Sequence, residues 1–361
     1  MKPKIVAVHL LNDFSGSPMV LSQALKGLMK SGHEVVLHTA GGREGFLSDL
    51  NCEKKYFEYR FYSNPVFRLM AFLLSQVNVF FQLLQYRREH IVIYVNTLLP
   101  FGAALAGKLM GKKVVYHIHE SYIKPAILKR FLKGVAAYTA DIALYVSNYL
   151  CEEERIESIK HKVVYNALPD EFTAKADGFK YHSQTADSFT VLMVCSLKEY
   201  KGINEFVALA ARHSNLKFEM VLNASQKEIE SFFRLGAIPN NLTLFSTQTD
   251  LDPFYRRASL LLNLTNPDLC IETFGMTILE AMCYGIPVIA PPVGGPAEIV
   301  SQGINGFSID VRKEEELDAT INKLFNDDQL RASLSLHARE TASRFNTNDL
   351  QEEIEKVISS M

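Results

Sequence analysis

The chain has 361 residues, of which 48% are hydrophobic and 22% are charged. This length predicts about two domains, and the composition excludes a chain too polar to form full-sized hydrophobic cores. The net charge of −2 is unevenly spread, because residues 1–168 hold 21 basic and 13 acidic residues and the remainder holds 17 and 27. The positive first half favours contact with an anionic partner, such as a phospholipid surface or a phosphate-bearing acceptor, although an accident of surface composition explains it equally well.

The five cysteines are scattered along the chain and form no Cys-x-x-Cys pair. They are Cys52, Cys151, Cys195, Cys270 and Cys283. Such a set indicates free thiols in a reducing compartment. The N-terminal MKPKIVAVHLLNDF lacks the cleavage region of a signal peptide and predicts a first strand instead. We therefore expect a cytoplasmic protein, which could also work at the inner face of the membrane.

Short apolar runs alternate with helical patterns through the first half of the chain. The predicted strands are Lys4–Leu10, Glu34–Thr39, His90–Asn96, Lys113–His119, Ile142–Ser147 and Lys162–Asn166. Their apolar runs are continuous, as in VVYHIH, which indicates strands that are buried on both faces. Helices predicted between them, such as Pro18–Ser31 and Pro100–Met110, complete the pattern of a doubly wound α/β domain.

One apolar stretch, Leu69–Tyr86, is about long enough to span a membrane. Serine, asparagine and glutamine interrupt it, so an amphipathic helix with one large apolar face fits the sequence better. This helix could pack on the sheet in the ordinary way, or it could dip into a bilayer surface, since Arg68, Arg87 and Arg88 flank it. The stretch Lys124–Lys133 leaves a similar choice open, because its basic residues could form a solvated helix face or contact anionic lipid or phosphate.

The polar stretch from residue 169 to residue 188 has no clear periodicity and predicts a linker. After it the alternation restarts, with predicted strands Thr190–Ser196, Lys217–Asn223, Leu242–Phe245, Leu260–Leu264, Pro287–Ala290 and Phe307–Ile309. We therefore divide the chain into a first domain of residues 1–168, a second domain of residues 189–343 and a helical C-terminal segment of residues 344–361. A site is expected in the cleft between the two domains.

The densest chemical signal is the segment Cys270–Pro287, CIETFGMTILEAMCYGIP. Gly275 allows a close backbone approach to a ligand, and a helix is predicted from about Met276 to Tyr284. The first turn of that helix presents free N–H groups, which suit an anion such as a diphosphate. Glu272 before the helix and Glu280 within it could accept hydrogen bonds from sugar and ribose hydroxyls. A capped surface helix with two solvated glutamates explains the spacing equally well.

This segment resembles the Glu-(seven residues)-Glu motif of the family 4 retaining glycosyltransferases, which have the GT-B fold of two doubly wound Rossmann-like domains facing across a cleft. The following IPVIAPPVGGPAEIVSQGINGFSI and the upstream CSLKEYKGI also resemble family segments. So do GSPMVLSQALKGLMKSGHEV, HIHESY and the C-terminal RFNTNDL, which in the family crosses back to the first domain. The resemblance covers nearly the whole chain. It has two departures: Ser196 stands where the family has an arginine that binds the diphosphate, and Ala167 where it has a glycine.

The resemblance implies a role for each matching residue. Lys201 would contact the diphosphate, Glu272 the donor sugar and Glu280 the ribose, while His119 would lie near the anomeric carbon. Of these, His119, Glu272 and Lys201 are the expected catalytic residues. The other donor-binding positions that it implies are Gly16, Ser196, Phe274, Gly275, Met276 and Thr277. Family members retain the anomeric configuration by a front-face substitution, in which the leaving diphosphate helps to deprotonate the acceptor, so no enzyme nucleophile, metal or cofactor is expected.

Asp250 and Asp252 have the spacing of the metal-binding Asp-x-Asp of a different glycosyltransferase fold, but Pro253 indicates instead that Asp252 caps a helix. The expected activity is transfer from a nucleotide-sugar to a glycan or lipid-linked acceptor in cell-surface polysaccharide or glycolipid assembly. The expected partners include an anionic membrane and no nucleic acid. Two alternatives stay open: a nucleotide-sugar 2-epimerase of the same fold, and a non-catalytic nucleotide-sugar-binding protein. Ser196 leaves the second one open, although Glu272, Glu280, Lys201 and His119 together argue against it.

Overall fold

The computed structural model describes residues 2–179, 189–234, 236 and 238–361 of the chain. These residues form two compact units. The first unit consists of residues 1–167 together with residues 347–361, and the second consists of residues 168–346. Each unit contains a parallel sheet flanked by helices, which is the α/β architecture that the alternating sequence pattern predicts.

The sheet of the first unit has seven strands within the described residues. They are β1 (Lys4–Val8), β2 (Val35–Ala40), β3 (Glu53–Phe57), β4 (Ile91–Asn96), β5 (Lys113–Ile118), β6 (Ile142–Tyr145) and β7 (Lys160–Val163). Their order in space is β3-β2-β1-β4-β5-β6-β7, and every neighbouring pair is parallel. The chain therefore starts in the middle of the sheet and winds outwards in both directions, as a doubly wound domain does.

Helices connect these strands. They are α1 (Gly16–Lys30), α2 (Pro65–Leu83), α3 (Phe101–Leu109), α4 (Ala126–Thr139) and α5 (Asn148–Glu154). A short 3₁₀ turn, Leu84–Arg88, extends α2 towards β4. Asn64 caps α2 by accepting hydrogen bonds from the N–H groups of Val66 and Phe67, and Pro65 follows the cap at a position that proline favours.

In the part of the second unit that the structure describes, six strands form a parallel sheet in the order β10-β9-β8-β11-β12-β13. Its strands are β8 (Thr190–Ser196), β9 (Lys217–Asn223), β10 (Leu242–Phe245), β11 (Leu260–Leu262), β12 (Val288–Ala290) and β13 (Gly306–Ser308). Its helices are α6 (Asp170–Asp177), α7 (Ile203–Arg212), α8 (Gln226–Phe232), α9 (Asp252–Arg257), α10 (Met276–Cys283), α11 (Gly295–Ile299), α12 (Glu314–Asn326) and α13 (Asp328–Ala342).

The last helix, α14 (Thr347–Ser359), belongs to the first unit and packs against α1. The side-chain amide of Gln351 donates to the carbonyl oxygen of Gln23 at 3.1 Å. A side chain at Gly27 would overlap with that of Gln351, so glycine lets the two helices approach closely. Leu350 and Ile354 join the core between α1 and the sheet.

The two largest differences between the structure and the sequence prediction concern a strand and the linker. Strand β3 was not predicted, because its sequence EKKYF carries three charged side chains; it lies at an edge of the sheet, where lysines are tolerated. The first part of the predicted linker is helical instead, since α6 packs the ring of Phe172 against Tyr255 and Tyr284 with centroid distances of 5.9 and 5.6 Å. Residues 180–188 of that linker lie outside the described residues.

Candidate active site

The loop after β8 carries Lys201 to the carboxyl edge of the second sheet. Ser196 ends the strand, and a 3₁₀ turn, Glu199–Lys201, leads to Gly202. Gly202 has a φ of 79°, and a side chain there would collide with the carbonyl group of Leu264. Only glycine meets both conditions, so this contact holds the Lys201 turn against the loop that follows β11.

Both carboxylate oxygens of Glu272 are held by neighbouring side chains. The ammonium group of Lys201 lies 3.2 Å from Oε1. The amide of Asn263 donates to Oε2 at 2.7 Å, and the hydroxyl of Thr265 donates to the same oxygen at 3.2 Å. Asn263 also accepts the Thr265 hydroxyl at 2.8 Å, so the strand end and the glutamate form one network. The orientation of Glu272 is therefore determined before any ligand binds.

Glu272 and Lys201 are both charged in this network. Burial by itself would raise the pKa of the Glu272 carboxyl, but the charge of Lys201 and the hydrogen bonds from Asn263 and Thr265 lower it below its ordinary value. Burial would lower the pKa of Lys201, but Glu272 raises it above its ordinary value. Each side chain is 19% exposed, which makes this a partly buried ion pair that is weakly screened by salt.

The glycine pair after β12 packs directly on the loop that carries Glu272. Gly294 has a φ of 76° and a ψ of −159°, a conformation that is almost restricted to glycine. A side chain on Gly294 would collide with the carbonyl oxygen of Glu272, and one on Gly295 would collide with the backbone of Phe274. The N–H of Gly295 donates to the carbonyl oxygen of Glu272 at 2.9 Å. The two glycines thus fix the height of the Glu272 loop above the sheet.

Helix α10 begins immediately after this loop. Gly275 has a φ of 117°, and its carbonyl oxygen accepts the N–H groups of Ile278 and Leu279 at 3.1 and 3.3 Å. Within the described part of the chain, the N–H groups of Met276 and Thr277 have no hydrogen-bond acceptor. Unpaired amides and the positive end of the helix dipole make this helix start suited to an anion.

Glu280 lies one turn further along α10 and has a separate set of contacts. The hydroxyl of Tyr255 donates to its Oε2 at 2.5 Å. The ring of Tyr255 stacks on that of Tyr284 with a centroid distance of 5.4 Å. Burial raises the pKa of Glu280 above its ordinary value, although the Tyr255 hydrogen bond opposes the rise. Glu280 is thus a partly buried carboxyl that an aromatic layer positions.

The sequence predicted that Asp252 caps α9, and this prediction was wrong. Asp252 is the first residue of the helix, and Leu251 is at the capping position. Its carboxylate accepts the hydroxyl of Tyr284 at 2.5 Å and Nε of Arg256 at 2.7 Å. Asp252 therefore anchors the Tyr284 ring below Glu280. Among the described residues, no three or more His, Cys, Asp or Glu side chains cluster in a way that could hold a metal ion.

His119 and Gly16 lie in the first unit, where Asn96 joins their surroundings. Asn96 ends β4, and its side-chain oxygen accepts Nε2 of His119 at 3.0 Å. Its side-chain nitrogen donates to the carbonyl oxygen of Ser17 at 3.1 Å, next to Gly16 at the start of α1. Burial, aided by the neighbouring rings of His117 and His9, lowers the pKa of His119 well below its ordinary value. His119 is therefore a neutral imidazole whose Nδ1 remains an acceptor.

Glu120 ties two strand ends of the first sheet together. Its Oε2 accepts the N–H groups of Leu98 and His119 at 3.4 and 3.3 Å. Thr97, between Asn96 and Leu98, has a φ of 73°, which is strained for a β-branched residue. Burial raises the pKa of Glu120 to about 7. The strained turn and the buried carboxyl together position the segment that carries His119.

The structure places the predicted residues in three groups. In the second unit, Lys201 and Glu272 are in direct contact, and the predicted positions Phe274, Gly275, Met276 and Thr277 follow at the loop and helix start, with Ser196 ending the adjacent strand. Glu280 forms the second group with Tyr255. Gly16 and His119 form the third, in the first unit.

Asn263, Thr265, Tyr255 and Asn96 directly contact the predicted side chains and were not predicted from the sequence. A signal for two of them was present, because Asn263 and Thr265 end the apolar run SLLLNLT, where polar side chains at the carboxyl end of a buried strand commonly face a ligand. Tyr255 gave no local signal, since its partner is far away in the chain and meets it only through helix packing.

Two family models match the chain, and together they leave only its ends and a few central residues unmatched. The model described as Glycosyltransferase Family 4 matches residues 14–172, and the one described as Glycosyl transferases group 1 matches residues 177–341. A solved structure of Anabaena HepE in complex with UDP and glucose superposes with a TM-score of 0.81 at 21% identity, covering 99% of this chain and 100% of that one.

Curated relatives are similar over large parts of the chain. The N-acetyl-alpha-D-glucosaminyl L-malate synthase of Bacillus anthracis is 23% identical, covering 94% of this chain and 92% of its own length. The capsular polysaccharide biosynthesis glycosyltransferase CapM of Staphylococcus aureus is 25% identical, covering 56% of this chain and 60% of its own length. An uncharacterized glycosyltransferase of Methanocaldococcus jannaschii is 26% identical, covering 68% of this chain and 67% of its own length.

Proposed function

The chain belongs to the family 4 glycosyltransferases with the GT-B fold, and we propose that it is a retaining enzyme that takes a sugar from a nucleoside diphosphate donor without a metal. The observation that carries the proposal lies in the second unit. There a charged Lys201–Glu272 pair directly precedes a helix start with unpaired amides. This combination offers cationic and dipolar groups to a diphosphate and a fixed carboxylate to the attached sugar.

The diphosphate would bind at the start of α10. The amides of Met276 and Thr277 would donate to its oxygens, and Lys201 would add a positive charge. These groups would supply the stabilisation of leaving-group charge that a metal ion supplies in other enzymes. The structure of HepE with UDP and glucose supports a donor of this class, since that chain has the same fold over its full length.

The sugar and the nucleoside would be held by acidic and neutral acceptors. Glu272 would accept hydroxyl hydrogens of the donor sugar, and Glu280 would accept those of the ribose. His119 is neutral and has its Nε2 hydrogen committed to Asn96, so Nδ1 would accept a hydroxyl hydrogen near the anomeric carbon. Gly16 would let the start of α1 approach the donor phosphate closely.

Retention would follow from a front-face substitution. The carboxylate of Glu272 is poorly suited to act as a nucleophile or base, because Lys201, Asn263 and Thr265 already hold its oxygens and its pKa is lowered. The acceptor hydroxyl would lose its proton to the departing diphosphate as the new glycosidic bond forms on the same face. The enzyme would contribute positioning and electrostatic stabilisation.

The acceptor would be a glycan or a lipid-linked saccharide in cell-surface polysaccharide or glycolipid assembly. The similarity to CapM supports this class of pathway. The family models and the relatives named above are transferases and a synthase, so they favour neither a 2-epimerase nor a non-catalytic binding protein. All five cysteines are free thiols; the cytoplasmic location expected from them stays a prediction.

The proposal is tested by screening thermal stabilisation of the protein with UDP-, GDP- and ADP-sugars. The stabilising donor is then incubated with lipid-linked and oligosaccharide acceptors, and the anomeric configuration of the product is read by NMR. We expect a product with the donor's configuration, activity that survives EDTA, and a loss of turnover in Glu280→Gln. An inverted product, or activity that EDTA abolishes and manganese restores, would contradict the mechanism; stabilisation by no nucleotide-sugar would contradict the function.

A further inference from the structure

Helix α2 presents its apolar side chains to the outside. It buries only five residues, two of which are polar: Phe72, Ser75, Gln76, Val79 and Leu83. It exposes eight large apolar residues: Val66, Phe67, Leu69, Met70, Leu73, Leu74, Val77 and Phe81. By length and composition alone, residues 65–88 could cross a membrane, but only 28% of their most apolar window is buried inside the protein. An ordinary surface helix does the opposite, because it buries its apolar side chains and exposes its polar ones.

The orientation of α2 is fixed by its contact with α3. The side-chain oxygen of Gln76 accepts the N–H of Gly102 at 3.1 Å. A side chain at Gly102 would collide with the carbonyl group of Gln76, so the two helices touch through backbone atoms. The inward position of the polar residues is therefore a requirement of the fold, and it forces the apolar face of α2 outwards.

The same fold excludes a membrane-spanning role for α2. Strand β3 precedes the helix and β4 follows it, and both strands belong to one parallel sheet. A helix that spans a bilayer has its ends on opposite sides, so a helix whose two ends are both tied to one sheet cannot span it. It can lie in the plane of the interface, with its apolar face among the acyl chains.

Helix α4 extends the apolar surface. Phe101 of α3 contacts Phe72 of α2 and Phe131 of α4, with ring-centroid distances of 5.8 and 5.2 Å. The three helices therefore lie side by side on one face of the first sheet. Ile127 and Phe131 of α4 are exposed, as are Phe61 and Tyr62 just before α2.

The charges around this surface identify its partner. Residues 59–88 contain four arginines and no acidic residue, and residues 121–140 contain four basic residues and no acidic one. Lys129 and Lys133 are paired with Glu154, whereas Arg60, Arg87, Arg88, Lys124 and Arg130 are exposed. The guanidinium of Arg68 lies 5.1 Å from the exposed ring of Phe61, so positive charge borders the apolar face directly.

We propose that α2 and α4 form a membrane-docking surface for anionic lipid. A second copy of the chain would bring the same positive charges face to face, which disfavours pairing of two such surfaces. An anionic bilayer matches both the apolar face and the positive charge that borders it. Its acyl chains surround the apolar residues, and its headgroups attract the arginines and lysines. Lipid binding does not require the transfer reaction, so the two proposals can fail separately.

The surface is tested by co-sedimentation of the full chain with vesicles, in the absence of donor. One set contains phosphatidylcholine alone, and the other contains phosphatidylcholine with phosphatidylglycerol. We expect binding to the second set that weakens at least about tenfold between low salt and about 0.5 M salt, as screening of surface charges requires. Binding to neither set, or equal binding to both, overturns the proposal.

Phe67→Glu/Leu74→Glu is the diagnostic variant, because the two side chains are 59% and 66% exposed and make little contribution to the core. Each substitution removes a large apolar side chain that would insert into the bilayer, so the vesicle affinity of the double variant should fall about a hundredfold. Leu336→Glu, at a site 60% exposed in the second unit, is the control and should bind as the unaltered protein does. Equal binding by both variants overturns the proposal, and so does a dimer in sedimentation velocity that only the double variant abolishes.

Discussion

The Lys201–Glu272 pair allows the roles of its two members to be separated by substitution. Lys201→Gln and Glu272→Gln each remove one charge and keep a polar side chain, which has the shape of glutamate and is shorter than lysine. If Lys201 binds the diphosphate and Glu272 binds the sugar, the two variants should differ towards a nucleoside diphosphate that has no sugar. Lys201→Gln should bind it more weakly, whereas Glu272→Gln should bind it as well as the unaltered protein or more tightly.

The magnitudes follow from the contacts. A hydrogen bond to a charged group contributes about 1.5–3 kcal/mol, so Lys201→Gln should lose about 10- to 150-fold in diphosphate affinity. Glu272→Gln frees the ammonium group that lies 3.2 Å from Oε1, so Lys201 no longer has to be shared between the glutamate and the ligand. Turnover should nevertheless fall by at least about 10²-fold in both variants, because each would lose a group that the proposal assigns to stabilising the reacting donor.

Isothermal titration calorimetry with UDP, and with the donor that thermal shift identifies, measures both affinities. Leaving Lys201 without its partner also destabilises the fold, so unfolding of each variant is followed in parallel to confirm that the titrated protein is native. The assignment of roles is refuted if Glu272→Gln weakens UDP binding as much as Lys201→Gln does. It is also refuted if neither substitution changes UDP binding.

Three further predictions concern the residues that position the site. Gly294→Ala should lower the free energy of unfolding by about 1–3 kcal/mol through backbone strain, and it should abolish turnover by displacing Glu272. The control Gly303→Ala, at a φ of 71° with open space around it, should cost about 1–2 kcal/mol and keep activity. Equal activity in the two variants would contradict this expectation. Glu120 has a pKa of about 7 in the fold against 4.5 ordinarily, so between these pH values the folded state holds a proton that the unfolded state has released. The free energy of unfolding should therefore fall from about pH 4.5 to pH 7 and level off above. In urea titrations, the free energy of unfolding of Glu120→Gln should lose up to about 3 kcal/mol of this pH dependence, and an unchanged pH profile would contradict the prediction. Tyr255→Phe removes the hydrogen bond that opposes the raised pKa of Glu280, so the acid limb of the kcat/KM profile should move to higher pH, and a limb that stays in place would argue against a carboxylate role for Glu280.

The parts of the site that local sequence determines were predictable. The start of α10 at Met276 follows from Gly275 and the apolar helix pattern, and the strands of the second sheet follow from continuous apolar runs. The ends of predicted strands needed small corrections in both sheets, the largest at β7 of the first sheet, which runs from Lys160 to Val163. Strand β3 was not predictable, because its charged side chains are tolerated only through its position at the sheet edge.

The contacts that depend on distant partners were not predictable. Tyr255 reaches Glu280 because α9 and α10 pack together, and Asn96 reaches His119 because β4 and β5 are neighbours. The direction of the apolar face of α2 is a third case. Hydrophobic periodicity gives the width of an apolar helix face but not the direction in which that face points. In α2, the contact between Gln76 and Gly102 turns the apolar face away from the sheet.

If the proposed donor site is correct, Ser196 in place of the family arginine would change how much each remaining group contributes to diphosphate binding. The loop after β8 keeps Lys201, and Gly202 holds that loop in position. The charge of Lys201 is engaged by Glu272, so a bound diphosphate would have to compete for it. Among the described residues, no acceptor competes for the amides of Met276 and Thr277, and these fixed amides would need no rearrangement to bind an anion. The backbone of α10 would therefore carry more of the diphosphate binding here than in a family member that keeps the arginine, while Lys201 would act mainly as the bond to the leaving group breaks.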